Sequence, residues 1–153
     1  MSAPATSHAY GIGLITLLVA AGASTIFYTS FYLPESLAKP SVAENILNPE
    51  GSLEIKIVLG AVTEGNPNYV PNKAHAVLTQ NNLVKWTNED ETAHTVTPDH
   101  RAEDAYSGEF GSPGVILPGT TYEFLFTDAQ EIPYHCTPHP WMTGTITIEQ
   151  ERF

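Results

Sequence analysis

The hydrophobic pattern opens on an uncharged run. From Ala9 to Pro34 the chain reads AYGIGLITLLVAAGASTIFYTSFYLP, 26 residues without Asp, Glu, Lys or Arg. As a helix this run spans about 39 Å at ~1.5 Å per residue, against a hydrocarbon core of about 30 Å. Tyr10 near one end, and Tyr28, Phe31 and Tyr32 near the other, match an interfacial aromatic belt. Pro34 is expected to stop the helix. Residues 1–34 are therefore read as an N-terminal membrane anchor, with a helix over 9–34 crossing the bilayer. A cleaved secretory signal competes, because Ala21-Gly22-Ala23 resembles an A-x-A site. Against it, no Lys or Arg marks an n-region, and apolar sequence continues to Leu33. A buried core helix is the third reading, but so long an uncharged run is unusual in a small soluble domain.

After this run the period changes. Residues 35–50, ESLAKPSVAENILNPE, are polar with Pro40 and Pro49 and read as a linker. From residue 51 to 153 the apolar positions recur every second residue. Leu53, Ile55 and Ile57 alternate in Ser52–Ala61, and Val84 and Trp86 in Asn82–Thr87. Tyr122, Phe124 and Phe126 alternate in Thr121–Thr127, and Ile146 and Ile148 in Thr143–Gln150. Gly65-Asn66-Pro67-Asn68, Ser112-Pro113-Gly114 and Pro118-Gly119 mark turns between them. The pattern predicts an all-β, antiparallel sandwich or barrel, with no useful helical stripe after residue 50.

Composition adds limits. A chain of 153 residues with 42% hydrophobic content makes one ordinary domain with an appendage. Six basic residues against 17 acidic ones give a net charge of −11, which disfavours nucleic-acid binding. All of these charges lie from Glu35 onward, so the acids are expected mostly on the surface of the C-terminal domain. A single Cys excludes an intrachain disulfide. The short N-terminal tail carries no Lys or Arg to orient the anchor by loop charge.

The only Cys and the only internal Met, Cys136 and Met142, lie six residues apart. They flank His139 in Tyr134-His135-Cys136-Thr137-Pro138-His139-Pro140-Trp141-Met142, and His94 lies about forty residues upstream in Ala93-His94-Thr95-Val96-Thr97. Singly, each has a bland reading: a buried Cys as a small hydrophobe, a Met as core filling, a His as a surface residue. Together, one thiolate, two imidazoles and one weak thioether are the donor set of a blue-copper electron-transfer site. The thiolate and thioether favour Cu(I) and the imidazoles suit both states, so one copper ion is expected, held by His94, Cys136, His139 and Met142. The stretch Pro138–Trp141 is too proline-rich to be merely a continuing strand.

These residues resemble those of the cupredoxins, closest to the plastocyanin, amicyanin and pseudoazurin group. The loop Cys-Thr-Pro-His-Pro-Trp-Met is nearly the amicyanin loop, and Leu83-Val84-Lys85-Trp86-Thr87-Asn88 with Ala93-His94-Thr95-Val96 is similar to the family's strand and first-ligand segment. Gly60-Ala-Val-Thr-Glu-Gly-Asn-Pro-Asn-Tyr69 and Trp141-Met142-Thr143-Gly144 resemble membrane-anchored archaeal members. The resemblance covers roughly residues 52–149. It implies a Greek-key β-sandwich of seven or eight strands, with Met142 as the axial ligand and His139 as the exposed one. Pro138, Pro140 and Trp141 would frame His139 as an apolar docking patch, or simply stiffen the loop. Where many members place Asn after the first His, this chain has Thr95, whose hydroxyl is expected to tie the two ligand segments together.

Glu89, Asp90 and Glu91 precede His94, and Asp99, Glu103, Asp104 and Glu109 follow it. They read either as a solvated face or as a surface steering a partner with a basic docking face. His135, next to Cys136 on a strand, points away from copper. It reads as a surface residue, as part of a second electron port as in plastocyanins, or as a ligand of a second metal as in copper nitrite reductases. His75 and His100 have no spacing partner.

The function expected is a membrane-tethered blue-copper protein moving single electrons between redox proteins by Cu(I)/Cu(II) cycling, not an enzyme. The copper domain is expected on the extracytoplasmic side of the cell membrane, beyond a single pass. The alternative is a fixed accessory subunit of a membrane copper or haem enzyme, with Gly11, Gly13 and Ala20–Ala23 allowing close helix packing. Copper storage or delivery is a weaker third, since no Met-rich or Cys-pair site is present. A binuclear copper centre needs two cysteines, and multicopper oxidases need His-x-His pairs; this chain has neither.

Overall fold

The structure, a computed structural model, describes residues 6–38 and 41–151. Residues 1–5 of the expected anchor, 39–40 of the expected linker and 152–153 lie outside the described residues. The chain divides into two compact units, Met1–Lys39 and Pro40–Phe153.

The first unit is helical: α1 (Thr6–Phe27), a π-helical turn (Tyr28–Tyr32) and α2 (Leu33–Ser36). Pro34 does not stop the helix as expected. The amide of Leu33 bonds to the carbonyl of Tyr28, five residues back. That wider turn re-starts the ladder so that Pro34 falls in the first turn of α2, where its missing N–H costs nothing. From residue 10 to 38 every residue is exposed, which removes the core-helix reading. Tyr10–Ser36 is long and apolar enough to cross a membrane, a test that a signal sequence also passes. The hydroxyls of Thr25 and Thr29 donate back to the carbonyls of Ala21 and Thr25, at 2.9 Å each.

The second unit begins with one helical turn, α3 (Glu44–Leu47). Ile46 packs against the core, and its carbonyl accepts a 2.9 Å bond from the buried amide of Asn82. Ten strands follow: β1 (Ser52–Ile57), β2 (Tyr69–Val70), β3 (Lys73–Val77), β4 (Leu83–Asn88), β5 (Thr97–Pro98), β6 (Glu103–Asp104), β7 (Gly108–Glu109), β8 (Thr121–Leu125), β9 (Gln130–Cys136) and β10 (His139–Glu149). One sheet has the order β2-β1-β4-β8, the other β3-β10-β9-β5, and β6 with β7 forms a small hairpin.

The sheets are mixed rather than antiparallel throughout. β1 runs parallel to β4, and β3 parallel to β10. Alternation specifies which side chains face inward, but not the direction of the neighbouring strand, so this was not readable from period two. The proline-rich stretch is also drawn further into the sheet than expected. His139 pairs with Cys136, and the register then slips before Thr143. The slip lets Pro140, which has no N–H, pass without breaking the ladder.

The two sheets share one core built on the inward positions of the predicted alternation. Trp86 is fully buried, stacked on Tyr122 at 5.4 Å, and its indole N–H donates to the Tyr134 hydroxyl at 3.2 Å. Gly144 lies opposite Tyr134 in the β9–β10 register, where a side chain would collide with the tyrosine ring. Not all acids are on the surface. Asp104 is buried and accepts bonds from the amides of Tyr106 (3.0 Å), Ser107 (2.9 Å), Thr127 (2.6 Å) and Asp128 (3.2 Å), and from the Thr127 hydroxyl (2.7 Å). Burial alone would raise its pKa, but the hydrogen bonds from Ser107, Thr127 and Tyr106 outweigh burial and hold it below the usual carboxylate value.

Two stability predictions follow from these contacts. Gly144→Ala should destabilise by about 1–3 kcal/mol through overpacking against Tyr134, measured by denaturant unfolding. Asp104→Ala should cost on the order of 3 kcal/mol at neutral pH, because several buried donors lose a charged acceptor. A folded pKa below the unfolded value of about 3.9 means this stabilisation is complete above that value and is lost as pH falls through the folded pKa. The gap between wild type and variant should therefore narrow below about pH 4.

Candidate metal centre

Three segments meet at one end of the sandwich. His94 follows β4 and is pinned by a two-way backbone bridge, with its amide on the Ile116 carbonyl at 3.2 Å and the Ile116 amide on its own carbonyl at 2.7 Å. Cys136 ends β9 and His139 begins β10, so the hairpin register sets them opposite each other. His94 Nδ1 is 3.6 Å from Cys136 Sγ, His139 Nδ1 is 3.5 Å from the same sulfur, and the two Nδ1 atoms are 3.2 Å apart. These donor atoms lie within 4.8 Å of one another, the spacing of atoms that share one small ion. His94 and Cys136 are buried and His139 is half-buried. Met142 is fully buried in the same hairpin, three residues past His139, and belongs to the same core cluster as Cys136. A sulfur and two imidazole nitrogens converging in an apolar pocket suit copper.

Neighbouring groups hold the donors in place. The Thr95 amide donates to Cys136 Sγ at 3.3 Å, as a hydrogen bond to a thiolate requires. The Thr95 hydroxyl oxygen accepts the Thr137 amide at 2.8 Å, and Thr97 Oγ1 lies 3.1 Å from it and 2.8 Å from Thr137 Oγ1. Tyr69, packed edge-on against Tyr134 at 4.9 Å, donates its hydroxyl to the Thr95 carbonyl. Burial first, and then electrostatic repulsion against protonating two adjacent imidazoles, holds the His139 imidazole below its usual pKa, which favours the neutral ring that a metal ligates.

Around His139 the surface is apolar. Pro138, Pro140 and Trp141 are exposed, and the Trp141 ring lies 5.5 Å from that of His139. Elsewhere Leu59, Val115 and Leu117 are exposed; in sequence they adjoin Gly60 and Ile116, whose backbones bond to Asp90 and His94. No sequence signal marked them, because isolated apolar residues in loops are ordinary. Asn88 was also missed. Its amide donates to the carbonyls of Thr92 and Ile116 at 2.8 Å each, shaping the turn into His94. The signal was present: Asn88 occupies the inward position of the β4 alternation, where a polar side chain needs partners.

The acidic run before His94 does not act as one face. Glu89 pairs with Lys56 at 2.7 Å and Glu91 is exposed, but Asp90 is buried and its Oδ2 lies 2.8 Å from His94 Nε2. Asp90 is therefore removed from the docking surface on which it was expected. A buried carboxylate facing N–H donors turns inward despite its acidic neighbours. His135 is half-buried, with Nδ1 2.6 Å from Asp99 Oδ1. Among the described residues of this chain no third His, Cys, Asp or Glu joins that pair. His75 and His100 are exposed.

The family described as copper binding proteins, plastocyanin/azurin family, matches residues 58–149. Among curated proteins, the chain is similar to amicyanin from Paracoccus denitrificans, 34% identical over 67 residues that cover 43% of this chain and 48% of that one. Amicyanin from Paracoccus versutus is 32% identical over 68 residues, with the same shares. The chain thus spans about half the length of the curated relatives it matches. Among solved structures, a purple cupredoxin from Nitrosopumilus maritimus superposes with a TM-score of 0.52 at 24% identity, covering 64% of this chain and all of that one. A copper-containing nitrite reductase from Thermus scotoductus gives 0.51 at 22% identity, covering 66% of this chain and 23% of that one. At these identities the two structures show a shared fold.

Thr95→Val keeps the shape of the side chain but removes the acceptor of the Thr137 amide. It should cost about 1 kcal/mol and speed amide exchange at Thr137, read by denaturant unfolding and NMR.

Proposed function

The chain belongs to the plastocyanin/azurin family of copper-binding proteins, and from that premise we propose that it is a membrane-tethered carrier of single electrons. His94, Cys136, His139 and Met142 would hold one copper ion, the Met142 thioether being the weakest of the four donors. The observation that carries this reading is the convergence of His94 Nδ1, Cys136 Sγ and His139 Nδ1 within 4.8 Å, two of these residues buried and one at the surface. The copper supplies a one-electron couple, Cu(II) to Cu(I), that no side chain here supplies at an accessible potential. The residues do the rest. The sheet register and the Ile116 bridge keep the donors in one geometry for both oxidation states, so little moves when an electron arrives.

His139 is the electron port. Pro138, Pro140 and Trp141 give it a dry rim. A partner closes against this patch, excludes water and leaves quickly, because the patch offers area without interlocking charge. Glu91 and the other exposed acids steer a redox protein with a basic docking face, which sets the encounter rate rather than the affinity. The fully exposed apolar span Tyr10–Ser36, free of charged side chains up to Pro34, supports the membrane tether. Pro40–Phe153 is placed on the extracytoplasmic side of the cell membrane.

Three measurements test this. Pro140→Glu places a charge on the dry rim and should slow electron self-exchange about tenfold, equivalent to about 1.4 kcal/mol, with the visible spectrum unchanged. An unchanged rate would remove this patch as the port. The association rate with a cationic redox partner should fall as ionic strength rises from 10 mM to 1 M, as the Debye length shrinks from about 30 Å to about 3 Å. Extraction from membranes in mild detergent should release the full chain as a single species. Co-migration with a copper or haem enzyme at fixed stoichiometry would instead support the accessory-subunit alternative.

A further inference from the structure

Asp90 stands between two exposed glutamates yet is only 4% exposed. Three backbone N–H groups and the Nε2 atom of His94 converge on its carboxylate. Gly60 and Glu91 donate their amides to Oδ1, at 2.9 Å each. The Val62 amide (3.4 Å) and the His94 ring (2.8 Å) reach Oδ2. Its own amide is anchored on Asn88 Oδ1 at 3.0 Å. The three backbone amides can only donate, so the position suits a group that only accepts, an ionised carboxylate. Among the described residues no Lys or Arg pairs with it; the nearby Lys56 is engaged by Glu89.

The direction of the His94 bond follows. A carboxylate acceptor requires the ring proton on Nε2, which leaves the Nδ1 lone pair facing Cys136 and His139. The same carboxylate grips the backbone at Gly60 and Val62, on either side of Ala61 and next to the exposed Leu59. One side chain thus ties a surface loop to a ligand of the copper centre.

We propose that Asp90 is a positioning residue of the copper centre: it fixes His94 in the Nε2–H form and keeps a buried negative charge one hydrogen bond from that ligand, lowering the reduction potential. This rests on the copper reading above. In the couple, Cu(II) takes one electron from a redox partner and becomes Cu(I). The more highly charged ion gains more from a nearby anion, so the buried charge favours Cu(II). The carboxylate also ties the loop at Gly60 and Val62 to the His94 segment.

The test compares the full chain in detergent with Asp90→Ala, Asp90→Asn and Asp90→Glu, each loaded with copper. The first two remove the charge and should shift the Cu(II)/Cu(I) equilibrium at least tenfold toward Cu(I), about 59 mV for one electron. Asp90→Glu retains the charge and should shift it by about threefold or less. A second readout needs no copper. NMR of the metal-free wild type should show His94 protonated on Nε2, with slow exchange of that proton, and Asp90→Ala should speed the exchange. Potentials of Asp90→Ala and Asp90→Asn within threefold of wild type would overturn the proposal, and so would a metal-free His94 protonated on Nδ1. A wild type that takes up no copper, yet shows the Nε2–H ring on Asp90, would sink the copper reading while leaving the positioning contact intact.

Discussion

The metal centre depends on one strand pairing, Cys136 opposite His139 at the mouth of the β9–β10 hairpin. β9 and β10 are the central strands of their sheet, flanked by β5 and β3. Their pairing sets a thiol and an imidazole side by side before any metal is considered. It also brings Met142 inward three residues later, and leaves Pro138, Pro140 and Trp141 outside. The register slip after His139 is the concession that allows this, since an unbroken ladder could not carry Pro140. The remaining donor, His94, arrives from the other sheet's β4 through a turn built by Asn88 and the Ile116 bridge.

Two imidazoles and a sulfur converge here, two of the three residues buried. Burying polar groups costs free energy unless they find partners. Here the partners are fixed in advance: the Thr95 amide on sulfur, the Asp90 carboxylate on the far side of His94, and the Tyr69 hydroxyl on the Thr95 carbonyl. Such outer contacts aim the donors and resist rearrangement when the charge at the centre changes by one electron. The aromatic core around Trp86, with its bond to Tyr134, carries that stiffness through the sandwich.

Much of this was legible in the residues. Period-two alternation located β1, β4, β8 and the C-terminal part of β10, and the close spacing of the only Cys, a His and the only internal Met pointed to copper. Short edge strands such as β2 and β5, two residues each, carry no periodicity and were not foreseen. Parallel pairing was hidden because alternation reports a face and not a direction. Asp90 was misjudged for a related reason. In sequence it is one acid among three, and only the fold shows that Gly60 and Val62, about thirty residues away, aim their amides at it. Pro34 was read as a helix end because its missing N–H normally ends the ladder. The π-helical turn before it, which removes that demand, leaves no mark in the sequence.

The central claim is that Cys136, His94 and His139 form a thiolate-bearing copper site, and the most direct measurement is spectroscopic. Visible and EPR spectra of the Cu(II)-loaded full chain should be recorded beside those of Cys136→Ala. The account predicts an intense thiolate-to-copper band with a narrow parallel hyperfine splitting in the wild type, and the loss of both in the variant. A pale wild-type protein with a wide splitting, indistinguishable from the variant, would mean a tetragonal site without a copper–sulfur bond and would contradict it.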